Sequence, residues 1–533
     1  MDVVTHRNSF IVAAIALAAS VTSLGNGFAY DDIPIVAGNA RVHDLSSWWT
    51  LFSSSYWPPQ YGESLYRPLS VLGYALQWTA GNGNALFFHA VSIALFVLLA
   101  VAVLMLLREW LDEIPAAAGA VLFAAHPVHT EAVANVVGQA ELLAGLGVVA
   151  ALVLYLRARR RGGPTVPQAV AIGVLYGGAA LAKEHALLLP LLIAAAEWLI
   201  PGERRDRRPV FRLLAIVAVV AVAVVASRTL VLGSLFGEQN PVEMDLSTRI
   251  WTMLRVIPEW VRLLVWPAHL SAEYGPQQIE IVDGPGLLSL LGIVLVVAFI
   301  VAFIASLTRN RAVAFGLAWL AITFFPVSNL VSGVVLQERT LMLPSVGAAL
   351  LFASAIHGIA RQASTAPARR GLISAVAVLA VLGVVRSATR NGVWRDNLTL
   401  FTQTVKDAPL SYRAHYVYGM ELFAAGRGAE GERELRRAIA LSRNDSDPYN
   451  FLATKYREAG LYGPALPLYR SALAIMPGRP DARFGLALSL LESGDPAAAR
   501  AQADTGLAQG QLKAYFEWVR TRADSALRAR PVK

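Results

Sequence analysis

Residues 114–156 read IPAAAGAVLFAAHPVHTEAVANVVGQAELLAGLGVVAALVLYL and run directly into Arg157-Ala-Arg-Arg-Arg161. Two apolar runs flank a short polar turn, His126-Pro-Val-His129-Thr-Glu131, and an arginine cluster closes the second run. A bilayer core takes roughly 17–25 apolar residues as one helix. The second run is long enough for that and the first, 114–127, is short. Dropping the first as a span would send Arg157–Arg161 to the face opposite the other basic loops. That contradicts the tendency of short cytosolic loops to carry Lys and Arg. The stretch therefore reads as two membrane helices joined at a charged turn. Ionisable groups at membrane depth are costly and are functional-site candidates by default.

Working outward, the same pattern fills most of residues 8–388. The 533 residues are 56% hydrophobic and 16% charged, with mean hydropathy +0.50. A soluble domain carries roughly 25% charge, so the chain is an integral membrane protein with something attached. Spans are expected at 8–29, 86–107, 114–127, 133–156, 166–182, 185–201, 210–232, 284–307, 312–331, 341–359 and 371–388. The run 166–201 is too long for a single crossing, and Lys183-Glu184-His185 is its natural break. Residues 1–29 resemble a signal peptide, with His6-Arg7 before an apolar core. The core is long and no small-x-small site follows, so it reads as a retained first span.

The net charge is +9 and the isoelectric point about 9.8. The basic residues cluster between apolar segments, as in Glu203-Arg-Arg-Asp-Arg-Arg208. That points to membrane orientation rather than nucleic acid. There is no Cys, hence no disulfide and no thiolate metal site. With the N-terminus cytosolic, the basic loops 108–113, 157–163, 202–212, 309–311 and 361–370 all lie inside. The outside loops are then 30–85, 128–132, 183–184, 233–283, 332–340 and everything after 388. The absence of Cys and the short arginine-rich loops fit a bacterial inner membrane, with the repeats described below on the periplasmic side.

This topology places every polar cluster at one face. Asp31-Asp32 follow the first span. Adjacent, partly desolvated carboxylates raise each other's pKa, which suits a general base toward a hydroxyl; the alternative is a solvated acidic cap at a helix end. His126, His129 and Glu131 lack the i, i+4 histidine pair of a helical zinc site and have Pro127 between them, which argues against a divalent metal. Neutral histidines bonding a hydroxyl or phosphate, or a polar turn whose groups satisfy each other, remain. Lys183, Arg228 and Arg339 are cations suited to a lipid phosphate, with Arg67 of Tyr66-Arg67-Pro68-Leu69 as a fourth. Glu184 and Glu338 orient them, or form local charge pairs needing no ligand. Segment 249–268, with Trp251, Leu254, Trp260, Leu263 and Leu264 against Arg249, Arg255 and Arg262, reads as an interface-lying amphipathic helix.

From about residue 412 the chain turns polar and a 34-residue period appears. Gly426, Gly460 and Gly494 share it, as do Tyr418, Leu452 and Leu486, and Leu422, Tyr456 and Leu490. Such a period with small–large pairing resembles tetratricopeptide repeats. Units are expected at 412–445, 446–479 and 480–513. The last is degenerate, with Ala503 at a usually large position. A tail helix near 514–528, carrying Phe516 and Trp518, would cap the stack.

Taken in order, Tyr30-Asp31-Asp32, Tyr66-Arg67-Pro68-Leu69, Phe123-Ala-Ala-His126-Pro-Val-His129-Thr-Glu131, Leu181-Ala-Lys183-Glu184, Asn240-Pro241 and Glu338-Arg339-Thr-Leu-Met-Leu-Pro344-Ser-Val-Gly347 resemble one family. It is that of the transmembrane and tetratricopeptide-repeat-containing protein O-mannosyltransferases, of the C-type (GT-C) superfamily of lipid-dependent glycosyltransferases. Gln139, after Val-Val-Gly138, stands where the resemblance leads one to expect Arg. The resemblance implies a polyprenyl-phosphate-sugar donor, mannose as the sugar, and transfer to Ser or Thr of secreted or membrane proteins on the non-cytosolic side, with no nucleotide-sugar site.

The expected fold class is therefore all-α: a polytopic GT-C-like bundle of about eleven spans over 1–390, a linker helix at 391–411, and a soluble α-solenoid over 412–533. The expected function is inverting glycosyl transfer. Asp31, with Asp32 second, is the base. Arg339, Arg228, Lys183 and Arg67 hold the lipid phosphate. His126, His129, Glu131, Glu184 and Glu338 form the substrate pocket, and the repeats bind the protein acceptor. The alternative is a non-enzymatic membrane scaffold in which the repeats recruit partners. A transporter is weaker, because its midplane charges come in inverted repeats that the sequence lacks.

Overall fold

The computed structural model describes residues 3–62, 64–200, 206–234, 244–275, 278–328, 336–363 and 365–529. Asn240 and Pro241, and parts of the expected loops 202–212, 233–283 and 332–340, lie outside them. The chain divides into two units, Met1–Leu400 and Phe401–Lys533. Among the described residues both are built of helices without strands.

In the first unit a helix stands at each of the eleven expected spans. These are α1 (Val3–Ser20), then, after α2 (Pro68–Gly81) in the first long loop, α3 (Ala85–Leu107) and α4 (Glu113–Ala125). The short α5 (Thr130–Ala134) precedes α6 (Gln139–Arg160), α7 (Val166–Ala182), α8 (Leu189–Leu199) and α9 (Arg208–Leu232). The amphipathic α10 (Leu246–Val265) is followed by α11 (Leu287–Arg309), α12 (Arg311–Phe324), α13 (Met342–Gln362) and α14 (Ala366–Asn391). Among the described residues, seven stretches are long and apolar enough to cross a membrane, and α4, α7 and α12 are shorter apolar helices. This is an integral membrane protein of the expected all-α class.

Local chemistry sets the helix ends. The first helix stops sooner than the expected 8–29, because Ser20, Thr22, Ser23 and Asn26 divert the chain into a tighter turn and into side-chain bonds with the end of α14. α4 ends at Ala125 because Pro127 removes a backbone donor and disfavours helix before it. α8 is only 11 residues, since Glu184–Leu188 forms a 3₁₀ turn where 185–201 was expected to be one span.

The core of this unit is apolar, with Phe96, Leu99, Phe123, Leu142, Leu152 and Trp319 fully or nearly fully buried between α3, α4, α6, α12 and α13. α12 and α13 approach closely at Gly316 and Gly347, where a Cβ on Gly347 would lie 2.9 Å from the Gly316 carbonyl oxygen. Large apolar side chains on α9, α11 and α14, such as Val222, Val301 and Val381, stay exposed; a lipid environment accepts such surfaces where water would not. α10 buries Met253, Val256, Trp260, Leu263 and Leu264, with Trp260 stacked on Phe324 at 4.4 Å.

The boundary between the units follows a 3₁₀ turn, Gly392–Trp394, and falls within α15 (Asn397–Asp407). In the second unit six helices come in pairs: α16 (Tyr412–Ala424) with α17 (Gly428–Leu441), α18 (Ser446–Glu458) with α19 (Tyr462–Ile475), and α20 (Pro480–Glu492) with α21 (Pro496–Gln509). Gly426, Gly460 and Gly494 end the first helix of each pair at φ of +76°, +73° and +87°, a region glycine enters without penalty. The closing α22 (Lys513–Arg528) inserts Phe516, fully buried, over Ala503 and Gly506. The aromatic ring occupies the space that a larger residue at 503 would fill.

Candidate active site

The first unit gathers its charges around the turns at the starts of α6, α8 and α13. Tyr30 adopts φ +56°, and its N–H donates to Asn397 Oδ1 at 2.6 Å. A non-glycine residue in that region costs about 1–3 kcal/mol and persists only where its surroundings enforce it. Here Gly27 N–H bonds the Arg395 carbonyl, and the Asn26 side chain bonds the Asn391 carbonyl. The strained residue introduces two carboxylates with different fates.

Asp32 is fully buried and accepts backbone N–H bonds from Val137 (2.8 Å), Val136 (3.1 Å) and Ala29 (3.4 Å). Burial pushes its pKa up to about 7 against the pull of those donors. The turn it holds requires glycine at 138, where a Cβ would lie 2.3 Å from the Ala132 carbonyl oxygen. Asp31 instead reaches the edge of the unit, where Arg339 Nη1 donates to its Oδ2 at 2.8 Å. Their side chains are 12% and 15% exposed, so the pair is largely but not fully buried.

Arg339 is shared. Its backbone N–H donates to Glu131 Oε2 at 2.9 Å, and its Nε lies 3.6 Å from Glu131 Oε1. Glu131 is buried, which pushes its carboxyl upward, and Arg339 opposes that shift. Two further pairings stand beside this one. Arg67 grips Glu184 through Nη2 and Nε, at 2.6 and 2.9 Å, and lies 5.1 Å over the Tyr56 ring. Burial raises the Glu184 pKa, but the cations around it, Arg67 first, bring it below the usual carboxylate range. Lys183 bonds Glu141, whose other oxygen lies 2.8 Å from His185 Nε2. Burial lowers the Lys183 pKa, Glu141 raises it, and the positive charges of Arg67 and Arg339 are both felt there. Burial pushes the Tyr56 hydroxyl up to about 12, and it senses Arg67, Asp31 and Arg339 together.

Of the expected site residues, Asp31, Glu131, Arg339, Arg67, Lys183 and Glu184 thus come together. Four do not join their contacts. His126 is a helix-end group: its Nε2 contacts the Leu264 carbonyl at 3.1 Å and its Nδ1 accepts from Val128 N–H. His129 Nε2 meets Ser345 Oγ at 2.9 Å, between the rings of Phe96 and Phe123. The cavity these two histidines share is small, about 10 Å³, and His126 also lines an apolar cavity of about 350 Å³ with Pro127, Leu264 and Arg386. Glu338 turns away from Arg339 and accepts 2.6 Å bonds from Ser271 N–H and the Tyr274 hydroxyl. Arg228 stands on α9, which packs on α7, outside these pairings. No group of three or more metal ligands occurs among the described residues.

Sequence reasoning missed Glu141 and Tyr56. Glu141 sits in the first turn of α6, inside a stretch read as an apolar run, and a carboxylate there was itself the signal. Gln139, at the position expected to be Arg, forms a buried neutral network with Gln77, Ser92 and the Phe88 carbonyl, which has no counter-ion for a cation.

The tetratricopeptide repeat family matches residues 456–517. Among curated proteins, the chain is similar to a protein O-mannosyl-transferase of Caenorhabditis elegans, 27% identical over 454 residues, covering 82% of this chain and 63% of that protein. It is similar to protein O-mannosyl-transferase TMTC3 of Mus musculus at 26% identity, covering 76% and 48%, and to Tmtc2 of Drosophila melanogaster at 31%, covering 49% and 30%. These relatives are of the family that the sequence motifs resemble, and the chain spans 63% and 48% of the length of the first two. Among solved structures it is similar to the Archaeoglobus fulgidus oligosaccharyltransferase tethered with an acceptor peptide, at 14% identity and TM-score 0.44, covering 78% of this chain and 59% of that one. That likeness is too slight to argue from.

Proposed function

We propose that the protein is an inverting membrane glycosyltransferase that moves mannose from a polyprenyl-phosphate donor to Ser or Thr hydroxyls of proteins on the non-cytosolic side, its repeats binding the acceptor. The observation that carries this reading is the Asp31–Arg339 pair at the edge of a buried charge cluster. Asp32 is committed to three backbone donors, which leaves Asp31 as the carboxylate for the acceptor.

Asp31 accepts the proton of the acceptor hydroxyl as its oxygen bonds to the anomeric carbon. The bond from that carbon to the phosphate oxygen breaks, and its electron pair leaves with the polyprenyl phosphate. Arg339 orients Asp31 and, with Lys183 and Arg67 behind it, stabilises the growing phosphate charge. A preorganised donor of this kind is worth about 3 kcal/mol in the transition state. The names of the curated relatives support mannose and a protein acceptor. A scaffold would give no reason to bury this cluster.

The test is transfer in liposomes from radiolabelled polyprenyl-phosphate mannose to a pool of secreted-protein peptides, with glucose and arabinose donors in parallel. Label on peptide Ser or Thr from the mannose donor is the expected result. Label from another donor would overturn the sugar, and no label from any would overturn the transferase.

A further inference from the structure

A polar cavity lies at the end of the bundle away from these pairings. α6 starts at the Lys183–Glu141 pair and α13 starts three residues after Arg339; the cavity lies at their far ends, roughly 30 Å away at 1.5 Å per residue. Its volume is about 560 Å³, and it is lined by Arg160, Arg309, Arg311 and Arg361, with Asn310 and a single carboxylate, Glu109. The arginines converge from α6, α11, α12 and α13, so no single stretch of sequence shows the cluster.

Two of the four are already engaged. Arg160 pairs with Glu109 at 3.2 Å, and Arg311 donates to the Leu199 carbonyl at 3.3 Å. Glu109 also takes Arg157, at 3.0 Å, so its charge is divided. Arg309 and Arg361 are exposed and form no side-chain hydrogen bond or ion pair among the described residues. The Asn310 side chain is held by the N–H groups of Ala312 and Val313, which fixes the corner between Arg309 and Arg311. Orientation alone needs arginines near this face, but not a cavity of ligand size between four of them.

We propose that this cavity binds a phosphate group, either that of an anionic phospholipid headgroup or a free phosphate, with Arg309 and Arg361 as its principal donors. Arginine forks match phosphate oxygens in pairs, and basic pockets between membrane helices suit anionic headgroups. This site is separate from the proposed sugar-transfer centre and stands or falls without it.

The experiment measures binding to the purified full chain in detergent by native mass spectrometry, with unfolding midpoint as a second readout. Phosphatidylglycerol, phosphatidylcholine and inorganic phosphate are offered separately to wild type, to Arg309→Gln/Arg361→Gln, and to Arg369→Gln/Arg370→Gln as a control outside the cavity. The expected result is phosphatidylglycerol bound roughly tenfold more tightly than phosphatidylcholine by wild type and by the control, and no such preference in the cavity variant. Inorganic phosphate protecting wild type and control, but not the cavity variant, would support the site and identify a soluble ligand. Equal loss in both variants would overturn the proposal in favour of diffuse charge attraction. Binding of neither phosphate source would overturn it outright.

Discussion

Arg339 touches two carboxylates at once: its guanidinium lies 2.8 Å from Asp31 Oδ2, and its backbone N–H donates to Glu131 at 2.9 Å. The side-chain contact places the candidate base, and the backbone contact is independent of the side chain. Arg339→Lys keeps charge and the backbone bond but loses the planar fork. It should lower sugar transfer about 100-fold while leaving the unfolding midpoint near that of wild type. Equal transfer by Arg339→Lys would remove the guanidinium from the mechanism.

Among the described residues, Glu141 is the only carboxylate bonded to Lys183, and it also contacts His185. Glu141→Gln leaves a buried ammonium without a counter-charge, so it should destabilise the first unit by about 3–5 kcal/mol. Glu141→Gln/Lys183→Met, which removes both charges, should recover most of that loss. Unfolding in detergent with graded denaturant measures both; failure of the double variant to recover would mean that the pair serves packing rather than charge balance.

Asp32 gives the protein a pH dependence of stability. Its folded pKa is raised to about 7 by burial from an ordinary value of 3.8. A raised carboxyl contributes stability that is full below the unfolded value and lost as pH rises through the folded one. The unfolding midpoint should therefore fall between about pH 4 and 8. Asp32→Asn should flatten that slope at the expense of about 1 kcal/mol, for one backbone donor left facing the amide. A slope unchanged in the variant would assign the titration elsewhere.

In the second unit Phe516 closes the repeat stack, with its ring against Gly506. Phe516→Ala opens a cavity in this buried cluster and should destabilise the repeats by about 3–5 kcal/mol. Circular dichroism melts of the full chain would show the repeat transition moving to lower temperature. An unchanged transition would mean that α22 does not cap the stack.

These residues also show what the sequence could reveal. The 34-residue period was legible because each repeat is a local unit, and Gly426, Gly460 and Gly494 mark it with a backbone demand that only glycine meets easily. Asp31, Glu131 and Arg339 were legible because charge is expensive at a membrane edge. The contacts of His126, His129 and Glu338 were not legible: polar groups beside a helix end bond nearby backbone and hydroxyl groups, and here those partners come from α10, α13 and the 271–274 segment. Glu141 was hidden by the apolar run around it. Tyr56 was hidden because the loop 30–85 has no periodicity to say which aromatic faces Arg67.

In the proposed mechanism Asp31 removes the acceptor's proton. The most direct measurement is mannose transfer by wild type and Asp31→Asn in the same liposomes, with binding of the polyprenyl-phosphate donor read separately. Asn keeps a hydrogen bond to Arg339 but is a poor base, so transfer should fall at least about 100-fold while donor binding and the unfolding midpoint hold. Transfer retained by Asp31→Asn would contradict the account.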